Sequence, residues 1–304
     1  MESRNNQDRL GLPDNVEETQ EDLAVSKEEK PKNKGLEFWN TATTEFVDLP
    51  SEGKLYASNN PLSTGKVEIK TMTAYHEDIL ANREYMREGI LFDKFIDSIL
   101  MEDIDPKVIL EGDRLAIMVA ARRTAYGPTF EATVACPACR AANKIEVDMS
   151  DNEESNLHTQ KGFLDDNIKD VFNVSLNEDG HLVFELPVSK VVVESKVSDG
   201  VLERQLFQYG AFKRKQGFGQ LGNVDHMKKI VVSVNGETDR TKLDNFFTNM
   251  PARDAKYWRD IYKMCQPTVK LLARQQCAGD YCTNLIEEEV GLTPEFFWPR
   301  SRLK

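Results

Sequence analysis

The sequence predicts an α+β protein made of two tandemly duplicated half-domains. Runs with strand alternation and runs with helical spacing follow one another along the chain. The order of strand, Leu-Pro pair, helix and cysteine-bearing strand pair occurs twice. The two passes are also evenly offset. The Leu-Pro pairs of "FVDLPS" and "FELPVS" lie 137 positions apart, Asp113 and Asp254 lie 141 apart, Cys136 and Cys277 lie 141 apart, and Cys139 and Cys282 lie 143 apart.

Composition bounds the function. At 304 residues, with 40% hydrophobic and 30% charged, the chain is long enough for about two buried cores. Its 51 acidic against 39 basic residues give a net charge of −12. That argues against general affinity for nucleic acid or anionic membrane, which need positive charge. The start, "MESRNNQDRL", has no apolar signal region, and the longest apolar run, "LAIMVAA", is too short to span a bilayer. The expectation is a soluble protein of a reducing cytoplasm, where five cysteines are free or metal-bound rather than disulfide-linked.

Residues 1–43 read as a disordered acidic tail, polar and without an aromatic residue before Phe38. Within it, "LPDNVEETQEDL" has the capping signals of a short helix. The first repeat, 44–150, opens on "FVDLPSEGKLY". A strand follows in "STGKVEIKTM", and "TAYHEDILANREYM" has helical spacing with Thr73 as N-cap. Further helices fit "LFDKFIDSIL" and "GDRLAIMVAARRTAYG", the latter with Asp113 as cap and Gly127 just past the end. The cysteine strand pair, "EATVACPACRAANKIEVDMS", closes the repeat.

Residues 151–170 turn polar and read as a linker. The second repeat, 171–304, begins with the hairpin "FNVSLNEDGHLVFELP", turning at Asp179-Gly180. "VSKVVVESKV" continues as strand, and 203–230 is mixed. "MPARDAKYWRDIYKM" is an amphipathic helix with Pro251 in its first turn. "TVKLLARQQCAGDYCTNLIEEEV" is again strand, two cysteines, strand. Phe296, Phe297 and Trp298 are expected to pack back on the second half.

The duplication supplies a complete ligand set. Cys136 and Cys139 lie in one strand-turn-strand knuckle, and Cys277 and Cys282 in another at the equivalent place. Zn²⁺ takes four thiolates tetrahedrally, and each knuckle can offer two. Such a Cys₄ site, one per chain and shared by the halves, is closed and therefore structural. In metal-folded peptides structural zinc supplies about 10–16 kcal/mol. A redox dithiol is the weaker reading of "CPAC", because that chemistry places its thiol at a helix N-terminus and a strand follows here. Cys265 fits a packed core thiol.

Other patterns carry less. "GFGQLG" follows a charged segment with no βαβ unit around it and reads as a loop. Lys213, Arg214 and Lys215 read as a solvated face, and "NPLSTGK" as a turn. His76, His158, His181 and His226 sit apart, with no metalloprotease motif or triad. No catalytic constellation is evident.

The "LPS-x-G-x-x-Y" opening at 49–56, "TMTAYHEDIL", "GDRLAIMVAARRTAYG", the "CPAC" knuckle, the repeat and the terminal "FF-W-P" together resemble one family. It is the baseplate hub subunit and hub-assembly family of contractile-tailed, T-even-type bacteriophages, and the likeness runs over roughly residues 44–304. The second Leu-Pro lacks the S-x-G, and the second cysteine pair is C-x₄-C, both departures from symmetric halves. The resemblance implies a late, non-enzymatic tail protein that binds other hub or tail proteins. It would act in the host cytoplasm during assembly, either promoting formation of the baseplate hub or becoming part of the virion baseplate. The alternative is a zinc-ribbon nucleic-acid-binding or transcription-associated factor.

Overall fold

The computed structural model describes residues 43–150, 152, 155–162, 172–292 and 294–297. The tail at 1–42 with its short helix, and Trp298, lie outside the described residues. The fold is α+β.

The first part opens with β1 (Thr44–Asp48), which pairs antiparallel with β2 (Lys66–Lys70) so that Val47 lies opposite Val67. Between them a 3-10 turn (Pro61–Thr64) is capped by the Asn60 side chain, which accepts from the Leu62 N–H at 3.0 Å. The next helical run is two helices, α1 (Ala74–Leu80) and α2 (Arg83–Glu88). The break comes at Asn82, whose side chain accepts from the Glu84 and Tyr85 N–H groups and starts a new helix. Thr73 caps α1 in a reciprocal arrangement with His76. In α3 (Leu91–Ile99) the residues Leu91, Phe95, Ile96 and Ile99 make one buried stripe. Helix α4 (Glu111–Tyr126) is buried around most of its circumference, and the cysteine hairpin β3 (Thr129–Ala135) and β4 (Ala142–Asp148) follows it.

The second part has β6 (Ser175–Leu176), β7 (Leu182–Glu185), β8 (Val192–Ser195) and β9 (Val231–Val234) in a four-stranded sheet of that order. Helices α5 (Gly200–Lys215), α6 (Asn223–Ile230), α7 (Arg240–Asn249) and α8 (Ala252–Cys265) accompany it. The mixed reading of 203–230 thus resolves into α5 and α6. Asp199 starts α5 by accepting from the Leu202 N–H at 2.8 Å. The second cysteine hairpin is β10 (Thr268–Gln276) and β11 (Leu285–Glu289). A strand also lies inside the presumed linker: β5 (Leu157–Gln160) pairs with β10, making the order β11-β10-β5.

Two apolar cores result. The second surrounds Trp258, with Phe184, Leu186, Phe247, Ile261 and Cys265. The first is built on α4 but also takes in Leu271, Ala273, Ile286, Phe296 and Phe297 from the end of the chain. The expectation that Phe296 and Phe297 pack on the second half is therefore corrected. Phe297 stacks edge-on to Phe95 at 5.0 Å and Phe296 edge-on to Phe130 at 5.1 Å. Arg122, itself buried, donates from Nε to the Phe296 carbonyl at 3.1 Å.

Asp113 does not cap α4. It is the third residue of the helix, fully buried, and its carboxylate accepts from the Ser51 N–H (3.0 Å), the Ser51 hydroxyl (2.7 Å) and the Tyr56 hydroxyl (2.6 Å). Asp254, third in α8, accepts from the Val188 N–H at 2.8 Å and the Ser189 N–H at 2.9 Å. In both places the residue right after a Leu-Pro pair donates its N–H to an aspartate near the start of a long helix.

The two carboxylates differ in charge preference. Burial pushes Asp113 up, against the donors from Tyr56 and Ser51. At Asp254 desolvation is outweighed by Ser189 and the Val188 N–H, which hold the carboxyl below its usual range. A depressed folded pKa gives stability that is present above the unfolded pKa and lost as pH falls. Asp254→Asn should therefore cost about 1–3 kcal/mol at neutral pH and much less below about pH 4. Urea unfolding at the two pH values checks this.

Candidate metal centre

The two cysteine hairpins meet. Cys136 and Cys139 sit in the turn between β3 and β4, Cys277 and Cys282 in the turn after β10, and their Sγ atoms all lie within 4.8 Å of one another. The shortest approaches run between the hairpins: Cys139 to Cys277 at 3.5 Å and Cys136 to Cys282 at 3.9 Å. A disulfide needs about 2.05 Å, and all the cysteines are free thiols. Metal–sulfur bonds of about 2.3 Å in a tetrahedron put the sulfurs about 3.8 Å apart. The two approaches between the hairpins, 3.5 and 3.9 Å, lie near that spacing. Cys265 is apart from the cluster, buried in the second core, where burial pushes its thiol up to about 12.

Local backbone explains how each turn presents two sulfurs. In the first, the Cys136 N–H closes the hairpin on the Ala141 carbonyl and the Arg140 N–H returns to the Cys136 carbonyl, with Arg140 left-handed at φ 62°. In the second, the Cys277 N–H bonds the Asn284 carbonyl and the Cys282 N–H the Gly279 carbonyl, with Tyr281 left-handed at φ 61°. Cys136 and Cys277 are buried and Cys139 is exposed, so the site has a dry side and a wet side.

Two asparagines support the sulfurs crosswise. Asn143 Nδ2 of the first hairpin points at Cys277 Sγ, and Asn284 Nδ2 of the second at Cys136 Sγ, each at 3.7 Å. Asn143 and Asn284 are 141 positions apart, the same spacing as the cysteines they face. Asn143 also accepts from the Ala278 N–H at 2.7 Å. The equivalent residue in the first turn is Pro137, which has no N–H to give. Sequence reading passed over these asparagines, although the spacing was there to find.

The thiols do not share charge evenly. The Cys139 N–H, then the Ala138 N–H and the neighbouring thiols, bring Cys136 down to about 6. Cys139 goes up to about 12, despite a backbone hydrogen bond at Ala141, because Cys277 and Cys282 crowd it. One thiolate is welcome in the cluster, and further negative charge calls for a cation. The four sulfurs lie close enough together that they could hold a metal ion.

A second cluster, Asp179, His181 and Glu194, has a simpler explanation. Glu194 accepts from His181 Nδ1 (2.8 Å), Asn177 (2.8 Å) and Ser233 (3.0 Å), which ties the β6–β7 turn to β8 and β9. These bonds, His181 first, hold its carboxyl low. His76 caps α1, and no helix among the described residues is long and apolar enough to cross a membrane.

No curated protein and no solved structure matches the chain. A family model described as "T4 bacteriophage base plate protein" matches residues 41–205, more than half of the 304. The match takes in the Leu-Pro opening, α4 with its buried aspartate, the first cysteine hairpin and the start of α5. The chain belongs to the T4 bacteriophage base plate protein family.

Proposed function

We propose that the protein is a non-enzymatic component of the baseplate hub or its assembly, and that one structural Zn²⁺ per chain, held by Cys136, Cys139, Cys277 and Cys282, clamps its two parts together. The single observation that carries the clamp is the convergence of four thiol sulfurs within 4.8 Å from hairpins far apart in sequence. Baseplate family membership carries the assembly role. Partners would be other hub or tail proteins, met in the host cytoplasm while the tail is built.

In this reading residues 44–150 and 171–304 descend from one duplicated unit, with 1–43 as a tail and 151–170 as the connection. The matched Leu-Pro-to-aspartate bonds and the crosswise asparagines favour duplication. Chance cysteine pairs would not bring equivalent neighbours with them.

Native mass spectrometry on the protein captured from infected cells tests both parts. One zinc per chain with tail proteins attached is the expected spectrum. A metal-free, partner-free chain overturns the reading. A finer test is Asn143→Ala, which should weaken zinc binding about 10–100-fold, as loss of an outer support typically does. Competition with a chromophoric chelator reads that change.

A further inference from the structure

Going beyond the assembly reading, we infer that the outer face of α5 and α6 docks onto a second copy of this chain, at the acidic edge formed by β11 and the turn before it. The basic face is an anomaly in an acidic protein. Residues 204–230 contain Arg204, Lys213, Arg214, Lys215, Lys228 and Lys229 against the single acid Asp225, a net of +5. Lys213 pairs with Asp225 and Lys228 with Asp244, which leaves Arg204, Arg214, Lys215 and Lys229 to the face. With the whole chain at −12, the remainder stands at −17.

The same segment exposes large apolar side chains. Phe212 and Phe218 are 52% and 69% exposed, and Phe207, Leu221 and Val224 add to them. Helix α5 buries only Gly200, Leu202 and Gly210, and nine of its sixteen residues are exposed. Tyr209 carries the ammonium groups of Lys229 and Lys213 at 5.2 and 5.9 Å from its ring. Exposed aromatics among positive charges make a surface suited to an acidic partner with apolar groups of its own.

The chain offers such a surface. Residues 280–289 hold Asp280, Glu287, Glu288 and Glu289 and no basic residue. Arg274 of β10 pairs with Glu287 at 2.7 Å and Lys270 approaches Glu289 at 3.9 Å, which leaves Asp280 and Glu288 as the outward charges. Tyr281 is fully exposed and Leu285 is 65% exposed. Strand β11 is the edge of its sheet. The two surfaces thus pair opposite charge with protruding apolar side chains on both sides. The face of one copy meets the edge of the next, a head-to-tail contact that closes into a ring or runs on as a short stack.

Sedimentation of the full chain tests this from about 1 to about 100 µM, a range that brackets micromolar association. At low salt the average mass should rise reversibly above that of one chain. It should fall back in about 0.5 M salt, where charge attraction is screened within a few Å. Arg214→Glu with Lys215→Glu, or Phe212→Ser with Phe218→Ser, should shift association at least tenfold to higher concentration with an unchanged circular dichroism spectrum. Glu288→Lys with Glu289→Lys should do the same. Mixing the two charge-reversed proteins should restore association, since each then presents the complement of the other. A wild-type chain that stays single at about 100 µM overturns the inference, as does association indifferent to all three variants. A single chain whose α5 variants lose affinity for a single-stranded oligonucleotide reassigns the face to nucleic acid and also overturns it.

Discussion

Cys277→Ser is expected to abolish stoichiometric zinc and lower the melting temperature by about 10 °C or more. Cys277 lies just past the end of β10, whose Leu271 and Ala273 lie in the first core although the strand follows α8 of the second. A metal bonded to all four sulfurs would fix that hairpin against β3 and β4. Removing one thiolate opens a coordination position and leaves two hairpin tips joined by a few weak hydrogen bonds. Cys265→Ala is the control: it should keep the zinc and cost on the order of 1 kcal/mol, because its thiol only packs. Chelation of the wild type should reproduce the Cys277→Ser melting curve. If calorimetry finds the variant and the chelated protein as stable as untreated wild type, the sulfur cluster is not a clamp.

What the sequence made legible follows from the range of each signal. The four cysteines, the hairpins around them and the Asp179-Gly180 turn were readable because turn chemistry and period-two alternation are local. Helix α5 was not, since Phe207 and Phe212 lie on its exposed side and blur the apolar stripe that marks a buried helix face. Strand β5 was hidden in a polar stretch because its pairing partner, β10, lies more than a hundred residues away. Asp113 has every local mark of a cap, yet it is spent on Ser51 and Tyr56, which only the tertiary fold brings near. Phe296 and Phe297 were expected on the second half and pack in the first core instead, since composition cannot say which core receives an aromatic cluster. Contacts distant in sequence also decide the site, and there the repeat spacing stood in for the missing geometry.

Gly112→Ala is expected to cost about 3 kcal/mol or more while leaving the zinc in place. A Cβ at Gly112 would stand 2.0 Å from the Pro267 carbonyl oxygen and 2.8 Å from the Thr268 nitrogen. These are backbone atoms, so no side chain can swing aside. The first turn of α4 would have to withdraw from the start of β10. That turn is where the two parts of the chain join away from the cysteines. The Glu111 N–H donates to the Ser198 carbonyl at 2.9 Å, and Gln266 donates to the Glu111 carboxylate at 2.8 Å. Buried Arg114 pairs with Asp93 at 2.7 Å and with Glu203 of α5 at 3.3 Å. Displacing the turn disturbs all of these at once, and a buried guanidinium that loses its partners is expensive. Gly291→Ala, with open space around its Cβ, should be nearly neutral. Strand β10 is thus held at both ends, by α4 near Thr268 and by the sulfur cluster beyond Gln276. A Gly112→Ala protein that melts much lower yet retains one zinc means the two attachments act separately. Loss of the zinc as well would mean that seating β10 on α4 is a precondition for gathering the four thiols.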